Sequence, residues 1–154
     1  MITLKRILVP TDFSEPSAIA LKYARAFAEA FGASLDVLHV MEDPFIYAPT
    51  SEGYVPPSGM LEEMERNTRE RLNKVLPEDA RKELRAEVVL KKGSPFVEIV
   101  RYARENNVDL IVMGTHGRGP IAHMLMGSVA EKVVRKAPCP VLTVRHPEHE
   151  FVMP

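Results

Sequence analysis

The chain is 154 residues long and carries a formal net charge of −1 from 20 basic and 21 acidic side chains. With those charges dispersed, there is no global basic field to drive binding to nucleic acid or an acidic membrane, so any anion site must be local. One cysteine, Cys139, excludes an internal disulfide framework and fits a reducing compartment; no stretch has membrane-span length and MITLKRILVP lacks a secretory apolar run, which makes a cytoplasmic location the expectation.

Arg6 to Val9 is a short continuous apolar run of the kind that forms a strand buried on both faces. Ser14 suits a helix cap and Pro16 a first turn; Leu21, Ala24, Phe27, Ala28 and Phe31 then recur at helical spacing until Gly32 stops the pattern. Leu35 to Met41 reads as a second strand. Four prolines between Glu42 and Gly59 predict a long loop able to shade a nearby site. From Ser58 a second helix is expected, with Leu61, Met64, Leu72, Val75 and Leu76 on one stripe and Glu62, Glu63, Glu65, Arg66, Arg69 and Glu70 on a solvated face.

A third strand is expected around Arg85 to Leu90, followed by a helix that Ser94-Pro95 initiates and Asn106-Asn107 closes. Val108 to Met113 reads as a fourth strand, Ser128 to Lys136 as a helix, and Pro140 to Val144 as a fifth strand after the stop at Pro138. Alternating strands and helices imply an α/β fold, a three-layer open sandwich whose parallel sheet is covered on both faces. One domain, residues 1–146, is expected, with 147–154 as a polar C-terminal tail. His146 and His149 in that region suit an exposed tail better than a metal site.

Ligands of such sheets bind beyond the carboxyl ends of the strands, where strand order reverses. The most distinctive stretch of the chain, Met113 to Ser128, lies at that end of the fourth strand, and Pro10, Thr11 and Asp12 end the first strand. Gly114 and Gly117 are expected to tolerate positive φ and to let backbone N–H groups approach an anion. Ile121 to Met126 is apolar enough for a short helical lid that folds back and returns Gly127 and Ser128 to the first two glycines. A helix starting near Ser128 adds its positive dipole end, and a nucleotide is the natural ligand. Ser128-Val-Ala-Glu131 is also a capping box, a role compatible with phosphate contact.

These pieces closely resemble the universal stress protein family, in its ATP-binding subclass. The resemblance spans nearly the whole chain and rests on Ile7-Leu-Val-Pro-Thr-Asp-Phe-Ser14, Leu38-His-Val40, Asp109-Leu-Ile-Val-Met-Gly-Thr-His-Gly117 and Lys136-Ala-Pro-Cys-Pro-Val-Leu-Thr-Val144. It also rests on the intact pattern of Gly114, Gly117, Gly127 and Ser128. The resemblance implies a five-stranded parallel sheet of order 3-2-1-4-5 and a homodimer joined through the last strand, Val141 to Val144. It implies that Asp12 holds the ribose and adenine side, that the main chain at Val40 contacts adenine, and that Gly114, Gly117, Gly127, Ser128 and Val129 hold phosphate and ribose. With their neighbours Pro10, Thr11, Met113 and His116 these form the candidate site.

Asp12 has a second reading, helping to start the first helix, and His116 serves either phosphate or the turn. Arg118 serves either phosphate or solvent, and Cys139, between two prolines, is a packing residue. The ligand is expected to be ATP with Mg²⁺ bound through its phosphates. The glycine-lysine-serine or threonine signature of P-loop enzymes is absent and no base presents itself, although His116 and His123 lie near the loop. A nucleotide-dependent regulatory or sensor protein of the stress response is the leading reading; a slow ATPase or phosphoryl-transfer enzyme and an interaction module that ignores nucleotide are the alternatives.

Overall fold

The computed structural model describes residues 1–43, 56–116 and 126–145. Its elements run β1 (Arg6–Pro10), α1 (Glu15–Phe31), β2 (Ser34–Met41), α2 (Met60–Asn73), α3 (Glu78–Glu83), β3 (Glu87–Lys92), α4 (Pro95–Glu105), β4 (Leu110–Gly114), α5 (Ser128–Lys136) and β5 (Val141–Val144). The strands form one parallel sheet of order β3-β2-β1-β4-β5, the order expected. Among the described residues no helix is long and apolar enough to cross a membrane.

Alternation along each strand divides two apolar layers. Ile7 and Val9 of β1, Leu35 and Val37 of β2 and Val112 of β4 pack with Ala20, Leu21, Ala24 and Ala28 of α1 and with Leu72, Leu76 and Ala80. Leu8, Leu38, Val40, Ile111 and Met113 face the other way, onto Ile99, Tyr102 and Ala103 of α4 and Ala130 and Val133 of α5. A strand covered on both faces needs apolar residues at consecutive positions, which explains the unbroken Ile7-Leu8-Val9 run. Fully burying each such side chain is worth about 1.5–3 kcal/mol.

The helix ends follow local chemistry. Ser14 caps α1 by accepting from the Ser17 amide, and Gly32, at φ 64°, closes it with its N–H on the Ala28 carbonyl. Several boundaries differ from the sequence expectation. The second helix begins at Met60, and of its expected apolar stripe Leu72 is buried inside the helix while Leu61 is exposed. Leu76 reaches the core from the following turn. The short helix α3 is unforeseen, because six residues after Pro77 are too few to show a period. Arg85 at φ 48° and Asn107 at φ 51° turn the chain, so β3 starts at Glu87 and β4 at Leu110. Most of the proline-rich loop, residues 44–55, and all of the expected lid, Ile121 to Met126, except Met126 lie outside the described residues, as do His146 and His149.

Candidate functional site

The chain leaves β1 through α1 toward β2 on one side, and returns through α4 to β4 on the other. Between β1 and β4 the connections diverge, opening a crevice at the carboxyl ends of the strands. A cavity of about 590 Å³ occupies it, lined by Pro10, Thr11, Asp12, Ser17, Leu38, His39, Val40, Glu42, Pro95, Ile99, Met113, Gly114, Thr115, His116, Gly127, Ser128, Val129 and Ala130. That volume lies within the range usual for small-molecule sites, roughly 300–1,000 Å³. Of the expected site residues, all but Gly117 line this cavity; Gly117, Arg118 and His123 lie outside the described residues.

The wall supplied by β1 is a pinned turn. The Thr11 amide donates to the Leu38 carbonyl at 2.8 Å, and the Thr11 carbonyl lies 2.7 Å from His39 Nδ1. Phe13 N–H donates to Thr11 Oγ1 at 3.1 Å, and Ser17 Oγ donates to the Ser14 carbonyl at 2.8 Å. The Thr11 hydroxyl therefore donates to Ser17 Oγ, 3.1 Å away. Phe13 takes the left-handed conformation, φ 63°, unusual for a bulky side chain. Asp12 Oδ1 accepts from the Ser14 amide at 3.0 Å and from Ser14 Oγ. The carboxylate thus helps start α1 with one oxygen, and both readings of Asp12 share one side chain.

On the opposite wall the glycines do work other than that expected of them. Gly114 is not in the positive-φ region; a Cβ there would sit 2.9 Å from Pro16 Cβ and 3.0 Å from the Pro16 carbonyl carbon. Its missing side chain lets the first turn of α1 close onto β4, which is what narrows the crevice. Gly127 N–H donates to the Thr115 carbonyl at 2.6 Å and is spent there, while the Thr115 amide donates to Val144 at 3.0 Å.

The expected capping box is not formed. Gly127 is the cap residue of α5, no side chain makes the cap bond, and Glu131 pairs instead with Arg135 at 2.8 Å. Ser128 is consequently the first helical residue, and the helix presents the amides of Ser128, Val129 and Ala130 beyond its own ladder. His116 Nδ1 lies 2.9 Å from Thr115 Oγ1, so this ring takes part in the turn as well as lining the cavity.

Sequence reasoning missed Ser17, Leu38, His39, Glu42, Pro95, Ile99, Thr115 and Ala130 as lining residues. Leu38 and Ile99 read simply as core positions. In sequence Glu42 reads as the start of the proline-rich segment, although its place one residue beyond β2 marks it as a strand-end residue.

A second polar group lies nearer the amino ends of the strands. Asp36 on β2 is 1% exposed, accepts from Tyr102 OH at 3.1 Å and lies 3.6 Å from Arg6 Nε. Burial raises its carboxyl above the usual range against the opposing pull of Arg6, and burial together with the nearby carboxylate pushes the Tyr102 phenol up. Among the described residues Asp36 Oδ1 has no hydrogen-bond partner. Cys139 is half-buried and its thiol is likewise pushed up by burial, the opposite of nucleophile activation. Among the described residues no three His, Cys, Asp or Glu side chains cluster to hold a metal.

Residues 3–145 match the model of the universal stress protein family. A universal stress protein of Methanocaldococcus jannaschii, MJ0531, is 36% identical over 147 residues, covering 95% of this chain and 85% of its own. Among solved structures, universal stress protein UspA from Lactobacillus plantarum superposes with a TM-score of 0.70 at 26% identity, covering 94% of this chain and all of that one. A universal stress protein solved in complex with cAMP superposes at 0.59 with 26% identity, covering 94% and 98%. The chain belongs to the universal stress protein family.

Proposed function

We propose that the cavity binds an adenine nucleotide, ATP carrying Mg²⁺ on its phosphates, and that the protein acts as a nucleotide-dependent regulatory or sensor protein in a stress response. The observation that carries this reading is the pairing, across one cavity, of a carboxylate at the end of β1 with the amide-rich first turn of α5. A carboxylate accepts from ribose hydroxyls, and unspent amides at a positive helix end donate to phosphate oxygens. The relative solved with cAMP supports an adenine nucleotide as the class of ligand.

The parts divide accordingly. Leu38, Ile99 and Met113 supply apolar surface for a base, with the Val40 main chain at its edge. Asp12 takes the ribose through the oxygen not spent on Ser14. Ser128 and Val129 take phosphate; Gly127, whose amide is committed to Thr115, shapes the entry to the helix instead. Gly117 and His116 complete the phosphate side. Bound Mg²⁺ neutralises phosphate charge and keeps its own waters.

No lining residue is assigned to turnover. The edge strand β5, bonded on one side to β4, suits pairing with a second copy, which gives a cytoplasmic homodimer. The test combines mass spectrometry of small molecules released from the purified protein, calorimetric titration with ATP and Mg²⁺, and a product assay. Retained or micromolar ATP without ADP production is expected. Steady ADP release overturns the sensor reading, and failure to bind any adenine nucleotide overturns the site.

A further inference from the structure

Phe13 belongs to the turn that carries Asp12 and His39 of β2 contacts that turn, yet the nucleotide reading gives them no role. The Phe13 ring lies 4.4 Å from the His39 ring and under the Arg71 guanidinium of α2, also at 4.4 Å. The backbone beneath that ring is in the left-handed conformation, at φ 63°, which is strained for a bulky side chain and persists only where surrounding contacts hold it. His39 supplies one such contact. Because a backbone carbonyl only accepts, Nδ1 carries the proton in the 2.7 Å bond to Thr11, which fixes the tautomer and clamps the peptide linking Thr11 to Asp12.

We infer that His39 is a positioning residue for Asp12: its Nδ1–H, backed by the Arg71-Phe13 stack, holds the Thr11 carbonyl so that the Asp12 carboxylate is aimed at the ribose hydroxyls of a bound nucleotide. The inference rests on the nucleotide reading of the cavity. Three neighbours of Asp12 are held independently: Thr11 by Leu38, Phe13 by the Thr11 hydroxyl, and Ser14 by α1. The peptide between Thr11 and Asp12 has His39 as the side chain that restrains its carbonyl. Since His39 sits on β2 beside β1, the base side of the cavity and the ribose carboxylate are set by one strand pair.

The test is calorimetric titration with the magnesium complexes of ATP and 2′,3′-dideoxyATP, the second lacking the hydroxyls that Asp12 would hold. Wild-type protein should prefer ATP by about tenfold, the size of hydrogen bonds to a charged group. His39→Leu should bring that ratio close to one while leaving dideoxyATP affinity within about twofold, as expected when one interaction alone is removed. His39→Asn, whose amide nitrogen takes the place of Nδ1, should restore the ratio. Adding His39→Leu to Asp12→Ala should cost no further preference, because both act through one carboxylate. Thermal unfolding of each variant confirms the fold.

A folded His39→Leu that keeps the wild-type preference, or that weakens both nucleotides equally, overturns the positioning role and leaves the site intact. Loss of preference in His39→Asn as well as His39→Leu overturns the hydrogen-bond account. Wild-type protein that binds neither nucleotide overturns the site reading, and the positioning role with it.

Discussion

Asp12 and Asp36 lie toward opposite ends of one sheet, and opposite demands are made of their carboxylates. Asp12 lies where β1 runs out, half-buried, with one oxygen tied to the start of α1 and the cavity beside it. Asp36 lies on β2 toward the amino ends, closed in between Arg6 and Tyr102, with one oxygen lacking a hydrogen-bond partner among the described residues. The carboxyl end keeps backbone donors and a carboxylate for use by a ligand; the amino end keeps a charge that burial disfavours. Strand direction explains the difference, because helices begin at the first end and finish at the second, and helix starts offer amides.

The contrast breaks most visibly at Gly114. Its replacement by valine forces new atoms against the Pro16 backbone, which no rotamer relieves, and should cost about 3 kcal/mol or more while widening the gap between α1 and β4. Urea unfolding measures the loss. An unchanged midpoint would show that close helix-strand approach does not shape the cavity.

At the other end, Tyr102→Phe removes the hydroxyl donated to Asp36 and should cost about 1–3 kcal/mol near neutral pH. The pH dependence has a definite sign. A carboxyl raised on folding holds its proton longer in the native state, so the stability that Asp36 contributes is fully present near and below the unfolded value of 3.8. That stability is lost as pH rises through the higher folded value. Asp36→Asn should abolish that slope, seen by comparing unfolding midpoints of both proteins in steps from pH 4 to neutrality. A parallel pair of curves would mean that Asp36 does not titrate differently on folding.

The two ends also differed in how far the sequence revealed them. The unbroken Ile7-Leu8-Val9 run and the Gly114 to Ser128 spacing pointed to a buried strand and a ligand loop, since both signals are local. Strand order came from resemblance, because pairing is a long-range property that no single segment encodes. Asp36 and Tyr102, 66 residues apart, carry no local signal of their contact. Gly114 was legible as necessary but not for its true reason: clearance from Pro16, 98 positions earlier, is invisible until α1 folds back.

Asp12→Ala sharpens the comparison further. Removing the acceptor of the Ser14 amide should cost about 1 kcal/mol, a helix-start effect, while ATP affinity should fall about tenfold and affinity for inorganic triphosphate should not. Equal losses for both ligands in titration would place Asp12 on the phosphate side and undo the assignment of ribose to the end of β1.

The smallest expected stability change distinguishes two serines at two helix starts. Ser14 caps α1 through the Ser17 amide, so Ser14→Ala should destabilise the protein by about 1 kcal/mol. Ser128 is already inside α5, whose cap residue is Gly127, and makes no cap bond, so Ser128→Ala should stay within about 0.5 kcal/mol. A hydroxyl that contributes little to its own helix, at a helix start lining the cavity, is free to serve a phosphate, and nucleotide affinity should drop where stability does not. Loss of stability in Ser128→Ala comparable to Ser14→Ala would restore the capping box that the sequence suggests. It would also leave phosphate binding to the backbone amides of α5 alone.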